Sequence, residues 1–218
     1  FCATGKSGYV RNLSAGEIVA QVLWVEHRLR EEGLTLSNVV YMGMGEPLAN
    51  YEAVVRSIRL LNDAQGLNLG ARRITISTCG LVPQIRSLAK ERIQVGLAIS
   101  LHAVTDQSRS EVMPVNKRYP IAELLAAADD YAADTGRRVS FEYALIAGFN
   151  DDLHTAVKLK ELLKNRLCHV QLEPNNVHLR SESGILLECW RTVEFKFLYG
   201  RNEERILRPP VDNCAKAC

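Results

Sequence analysis

The chain has 218 residues, of which 47% are hydrophobic and 24% are charged, proportions typical of a globular domain with a continuous core. Its formal net charge of +2 is too small either to indicate or to argue against a nucleic-acid partner. No apolar run in the sequence is long enough to cross a bilayer, and no secretory leader is visible. These features exclude a membrane-spanning class and favour a cytoplasmic location.

The cysteines do not have the spacing of a disulfide-stapled mini-protein. Reduced thiols in a cytoplasmic protein are the better interpretation. We expect the three interior cysteines, Cys79, Cys168 and Cys189, to be small buried hydrophobic residues. The other three are Cys2, Cys214 and Cys218.

The first predicted element is a helix. Ser14 and Glu17 have the spacing of a capping box, in which each side chain bonds the backbone N–H of the other residue. Apolar residues then recur at helical spacing, so we predict a helix from about Ser14 to Glu32, ended by Gly33. The short apolar run at 38–42 stops at glycines and predicts a buried strand.

Further helices and strands alternate along the chain. Apolar or β-branched runs predict strands, amphipathic spacing predicts helices, and Pro83 suits the first turn of one helix. In chain order we predict a helix around 54–61, a strand at 73–77, a helix at 81–90, a strand at 95–101, a polar loop at 102–119, a helix from Ile121, a strand at 139–146, a helix at 151–164 and a strand at 168–172.

This order predicts an α/β fold. Strands without clean alternation, separated by amphipathic helices, are typical of a parallel sheet covered on its outer side. Five strands are visible, and we expect one more just before Cys2. The pattern changes from about Arg180, where alternation at 193–199 suggests a half-buried strand and Pro209-Pro210 excludes a regular helix.

Polar motifs follow several of these strands, where parallel folds carry their chemistry. The glycines around Glu46 would let a ligand approach the backbone, and Glu46 could pair with an ammonium group. The segments 77–80 and 100–102 offer hydroxyls and an imidazole, and Asn176 offers an amide that suits an adenine or ribose edge. Each motif also has an ordinary interpretation as a tight turn, a strand end or a structural residue.

Eight segments together resemble the RlmN/Cfr family of radical S-adenosylmethionine (SAM) RNA methyltransferases, and its RlmN type most closely. Any one match is weak, but the ordered set is specific. The matching segments are 1–5, 8–13, 17–22, 42–48, 73–80, 97–103, 113–117 and 141–143. The resemblance implies a partial (β/α)6 TIM-like radical SAM barrel over residues 1–177, lacking its first strand, and a divergent C-terminal tail at 178–218.

The resemblance also implies the cofactors and the reaction. Three cysteines would hold a [4Fe–4S] cluster that binds SAM at its open iron, and Cys2 corresponds to the third of them. The enzyme would methylate adenine C2 in 23S ribosomal RNA and some transfer RNAs through a methyl-cysteine, for which Cys218 and Cys214 are alternatives. A donor such as flavodoxin would supply electrons, and the enzyme is expected to be a monomer. The implied SAM contacts are Gly45, Glu46, Ser77, Ser100, Leu101, His102 and Asn176.

The sequence departs from the family in several places. Two cluster cysteines, the resolving cysteine and the small RNA-contacting domain have no counterpart, and the segment around Asn176 reads Pro-Asn-Asn-Val instead of Pro-aromatic-Asn-Pro. One thiolate cannot replace three, so we expect the chain alone to be inactive. Two alternatives stay open: Cfr-like methylation at adenine C8, and an inactive fragment that binds SAM or RNA.

Overall fold

The computed structural model describes residues 8–42 and 45–174. The predictions for Cys2, Asn176, Cys189, Cys214, Cys218 and the strand at 193–199 lie outside the described residues, and so does the boundary near 177. The described helices are α1 (Ala15–Glu31), α2 (Tyr51–Asn62), α3 (Val82–Lys90), α4 (Asp106–Val112), α5 (Ile121–Thr135) and α6 (Leu153–Leu163). The described strands are β1 (Val39–Tyr41), β2 (Ile74–Thr78), β3 (Gly96–Ser100), β4 (Val139–Leu145) and β5 (Cys168–Pro174).

The α/β prediction is confirmed, because five strands form a sheet in the order β1-β2-β3-β4-β5. The chain divides into two compact units. We call the described residues 8–78 and 93–96 the N-terminal unit, and the described residues 79–92 and 97–174 the C-terminal unit.

The N-terminal unit contains the first two strands, which run parallel with Val39 opposite Ile74 and Tyr41 opposite Ile76. Helices α1 and α2 pack against each other. Ile58 of α2 and the inward-facing residues of β2 are fully buried. The Tyr41 hydroxyl lies 2.8 Å from Ser57 Oγ, so the β1 side chain that enters this core keeps a hydrogen-bond partner there.

The C-terminal unit is built on parallel pairing of β4 with both of its neighbours. Leu97 of β3 lies opposite Val139, and Val139 lies opposite Cys168 of β5. Six of the seven residues of β4 are buried, as expected of a central parallel strand covered on both faces. Helices α3 and α5 pack together, and α5 ends at Gly136, whose positive φ of 67° is the left-handed conformation that closes many helices.

Two predictions were wrong. The segment 102–119 is not a loop, since it contains α4 and a 3₁₀ turn at Pro114–Lys117. Cys79 and Cys168 are partly exposed and not fully buried. Cys79 lies just beyond the end of β2 and Cys168 is the first residue of β5, so each lies at a strand terminus and not in the middle of a covered strand. No helix among the described residues is long and apolar enough to cross a membrane.

Candidate cofactor site

The loop after β1 is organised by Glu46. Its Oε1 accepts hydrogen bonds from the Leu48 backbone N–H at 2.9 Å and from the Thr78 hydroxyl at 2.8 Å. Glu46 also caps a 3₁₀ turn whose first residue is Pro47. The residue before it, Gly45, has a φ of 138°. Residues with a side chain rarely adopt this backbone conformation, which explains why a glycine occupies the position. The carboxylate is therefore held in place by protein donors on two segments.

A cavity of about 420 Å³ lies next to this loop in the N-terminal unit. Gly45 and Glu46 are the predicted cofactor residues that line it, and most of its surface is apolar, with Ile18, Val22 and Val39 among the lining residues. Such a lining suits an apolar group better than a zwitterion with a sulfonium charge. We therefore do not assign the whole of SAM to this cavity.

Ser77 lies near the end of β2, and its exposed fraction is only 6%. The next residue, Thr78, is 2% exposed and bonds Glu46. The two motifs that the sequence placed after neighbouring strands thus meet within the N-terminal unit, through the hydrogen bond between Thr78 and Glu46. The carboxyl ends of parallel strands share one edge of the sheet, which is why this meeting was expected.

The segment Ser100–Leu101–His102 leaves β3 but stays close to β4. The backbone N–H groups of Leu101 and His102 both point to the Glu142 carbonyl, at 3.0 and 3.4 Å. The Ser100 hydroxyl donates to Glu142 Oε2 at 3.3 Å. Glu142 is itself buried, so this contact orients the hydroxyl and places an acidic group in the C-terminal unit beside predicted cofactor residues.

His102 is a buried imidazole with a left-handed backbone, at a φ of 56°. Its Nδ1 accepts the Ala144 backbone N–H at 3.0 Å, so in the neutral ring the proton is on Nε2. Burial, and then the positive charge of Arg109, lower the pKa of His102 to about 4. Near neutral pH His102 is therefore an uncharged hydrogen-bond donor and not a proton-transfer group.

Sequence reasoning missed three residues that organise the same unit. Glu142 belongs to a segment that matches the family, but the sequence assigned it no role. Arg109 lies in the segment predicted to be a polar loop, and Asn150 belongs to none of the motifs. The Asn150 side chain donates to the carbonyls of His102 and Ala144, each at 2.8 Å. Its Oδ1 accepts the Ile146 N–H at 2.7 Å. No periodic pattern could reveal these residues, because each is a single buried polar group.

Each unit, taken by itself, carries polar groups of the kind that bind parts of SAM. A held carboxylate at Glu46 suits an ammonium group, Ser100 supplies a hydroxyl, and the neutral ring of His102 supplies an N–H donor. The fit of the [4Fe–4S] cluster depends on Cys2, which lies outside the described residues. Within residues 8–42 and 45–174, no group of three or more His, Cys, Asp or Glu side chains could hold a metal ion.

The sequence matches the radical SAM superfamily over residues 1–159. The chain therefore belongs to the radical SAM superfamily. Among solved structures it is similar to a radical SAM methyltransferase from Sphaerobacter thermophilus, with a TM-score of 0.82 and 49% sequence identity. That similarity covers 89% of this chain and 60% of the other, and it confirms the partial TIM-like fold.

The curated relatives of this chain carry the name of one group within the superfamily. A protein of Dictyoglomus thermophilum named "Probable dual-specificity RNA methyltransferase RlmN" is 54% identical over 176 residues, which cover 81% of this chain and 51% of the relative. A protein of the same name from Chloroflexus aurantiacus is 54% identical, covering 81% of this chain and 50% of the relative. The chain thus spans about half the length of these relatives. The RlmN methyltransferases of this superfamily use a [4Fe–4S] cluster and SAM.

Proposed function

We propose that this chain is most of the catalytic barrel of an RlmN-type enzyme that methylates adenine C2 in 23S ribosomal RNA and in some transfer RNAs. The observation that carries this proposal is the 54% identity to proteins named RlmN. The relatives make the C8 alternative the less favoured reaction. The expectations of a cytoplasmic monomer and of a flavodoxin-like electron donor belong to the same proposal.

The residue assignments are part of this proposal. Cys2 would be a cluster ligand, and Cys218 or Cys214 would carry the methyl group. When bound, the cluster and SAM would supply the radical chemistry needed to methylate an adenine carbon that polar methylation cannot attack. The protein's own residues bind and orient SAM. The proposed contacts are Gly45, Glu46, Ser77, Ser100, Leu101, His102 and Asn176.

Glu46 offers the sharpest test of the SAM assignment. E46Q keeps an oxygen that can accept the bonds from Leu48 and Thr78 but removes the negative charge. We expect it to weaken SAM binding, measured by calorimetry, by about tenfold or more, since a charge-assisted hydrogen bond is lost. E52Q is the matched control, because Glu52 is exposed on α2. Equal SAM affinity in wild type and E46Q would contradict the assignment.

The reaction is tested with RNA. A version of the chain extended upstream to include the expected cluster cysteines is reconstituted anaerobically and incubated with SAM, a reductant and a 23S ribosomal RNA transcript, which is then digested for mass spectrometry. The proposal requires 2-methyladenosine, whereas 8-methyladenosine would establish the Cfr-like alternative. SAM binding with no product would indicate a binding fragment. Separate C214S and C218S variants, analysed by peptide mass, would identify the methylated cysteine.

The cluster prediction has its own experiment. The chain as printed and a version extended upstream are reconstituted side by side with iron and sulfide, and their absorption spectra are compared. We expect a stable [4Fe–4S] spectrum only from the extended version, because three thiolates leave one iron open and one thiolate cannot hold a cluster. A stable cluster in the printed chain would show that its own cysteines suffice.

A further inference from the structure

Arg109 is the one arginine of α4, and its side chain is completely buried. The guanidinium has four acceptors within hydrogen-bond distance. Nη2 donates to the Cys79 carbonyl at 2.9 Å and to the Ser100 carbonyl at 3.0 Å. Nε donates to the Leu101 carbonyl at 3.3 Å, and Nη1 donates to Asn116 Oδ1 at 3.1 Å. All of these residues lie in the C-terminal unit.

Burying a charge is costly unless hydrogen bonds compensate for the lost water. Burial lowers the pKa of Arg109 to about 10, so the group still carries its charge near neutral pH. Three of its acceptors are backbone carbonyls at or just beyond the ends of β2 and β3, and buried carbonyls need a partner. The charge and the carbonyls therefore satisfy each other.

The packing around the guanidinium is tight as well. A Cβ on Gly80 would lie 3.5 Å from Arg109 Nη2 and 2.7 Å from Leu124 Cδ1, and Gly80 has a φ of 107°. The loop after β2 therefore packs against Leu124 more closely than a side chain would allow, and it lies in ordinary van der Waals contact with the guanidinium. The planar fork of Arg109 fixes two separate chain segments, one at Cys79 and one at Ser100–Leu101.

We propose that Arg109 is a positioning residue for SAM, which holds the backbone at Cys79 and at Ser100–Leu101 so that the Ser100 hydroxyl and the His102 ring face the cofactor in one fixed geometry. This inference rests on the proposed function. A lysine cannot replace the arginine, because its donors radiate from one atom and cannot reach acceptors on both segments in the fork geometry.

The test compares R109K with wild type in calorimetry with SAM, both as the upstream-extended version with its cluster reconstituted, at a temperature well below the melting point of both proteins. We expect the Kd for SAM to rise about tenfold or more while the stoichiometry stays at the wild-type value, since charge-assisted bonds are lost. R86K is the matched control, because Arg86 is half exposed and pairs with Asp130 at 3.1 Å. Its Kd should equal that of wild type.

A merely structural role has a different signature. In that case R109K would lower the melting temperature and the bound fraction but leave the Kd unchanged, and the inference would be overturned. If R109K does not fold, the SAM affinity of N116A is measured instead, because this variant removes one acceptor of the guanidinium and leaves the arginine in place. We then expect a Kd about threefold to tenfold higher than wild type, and an unchanged Kd overturns the inference. Wild type that binds no SAM would instead refute the proposed function.

Discussion

Single buried polar residues fix the conformation of the segment that follows β3. The carbonyl of His102 accepts from Asn150, and its ring accepts from the Ala144 backbone. Arg109 bonds the two carbonyls before it. At the end of β3 the segment keeps N–H bonds to the Glu142 carbonyl of β4, and these side chains supply partners for its remaining polar groups.

The depressed pKa of His102 predicts acid sensitivity. Its ordinary value is 6.5 and its folded value is about 4, so the unfolded chain binds the proton first as the pH falls. Stability is therefore fully present above pH 6.5 and is lost as the pH falls to about 4. Linkage puts the total loss at about 3 kcal/mol. Urea unfolding followed between about pH 7 and about pH 5 should detect about half of it.

H102N isolates this contribution. Asparagine tolerates the left-handed backbone, and its side-chain oxygen can accept a backbone N–H. We expect the variant to lose stability less steeply than wild type over the same pH interval. H154N is the control, because His154 is exposed on α6, and it should keep the wild-type dependence. Parallel curves for wild type and H102N would show that His102 is not the responsible group.

We expect the N150A variant to have a much lower free energy of unfolding than wild type. The Asn150 side chain is 2% exposed, and its removal strips partners from two buried carbonyls and from the Ile146 N–H. We expect the free energy of unfolding to fall by about 2 to 4 kcal/mol, measured in urea at neutral pH. Q107A removes an amide from an exposed position on α4 and should change it little. Equal effects of the two variants would contradict this account.

Among the elements, α1 depends most on its own local interactions. Ala15 is its one buried residue, so packing contributes less than in α2 or α5. The Glu17 side chain accepts the Ser14 N–H at 2.8 Å, and the Glu17 N–H donates to Ser14 Oγ at 3.3 Å. Arg11 adds an ion pair to Glu17, and the bonds with Arg11 and Ser14 lower the pKa of Glu17 to about 2.

S14A therefore should destabilise the N-terminal unit. Loss of a serine cap costs about 1 kcal/mol, and helix content measured by circular dichroism should melt earlier. S37A, in the exposed loop before β1, is the control and should melt like wild type. A melting curve of S14A that superimposes on wild type would mean that tertiary packing, and not the cap, sets the stability of α1.

The elements that the sequence predicted are those whose stability comes from a repeating pattern. The capping box and apolar spacing of α1, and the β-branched run of β2, appear where expected within one or two residues. Helix α4 was missed because it has seven residues, and the one it buries is Arg109. Its start is set by Thr105, whose Oγ1 accepts the Ser108 N–H at 3.2 Å. A short polar helix held by a cap and a buried charge has no periodic apolar signal.

At the scale of the whole molecule, the motifs identified the candidate site but not what holds it together. Glu46 and the 100–102 segment were found because they follow strands and match a family. The side chains that hold the 100–102 segment, Arg109 and Asn150, come from parts of the chain without such a signal. The folded backbone determines which carbonyl a buried side chain can reach. The two partners can be as far as 48 residues apart in the sequence, so the sequence alone does not show that they meet.

The edge of β1 leads to a prediction about the chain in isolation. Among the described strands β1 is first in the sheet order, and Val40 and Met42 are 53% and 51% exposed. An apolar edge strand is a template for pairing with another copy. We expect the 218-residue chain to self-associate in a concentration-dependent way, as measured by sedimentation velocity, even though the complete enzyme is expected to be a monomer.

V40K should reduce this association, because a lysine on an edge strand opposes pairing with a second strand. V157K is the matched control, since Val157 is 49% exposed on α6 and away from a sheet edge, and it adds the same charge. The edge accounts for the association only if V40K has the larger effect. Equal reductions would assign the effect to net charge, and a wild-type chain that stays monomeric at every concentration would show that the β1 edge is covered in solution.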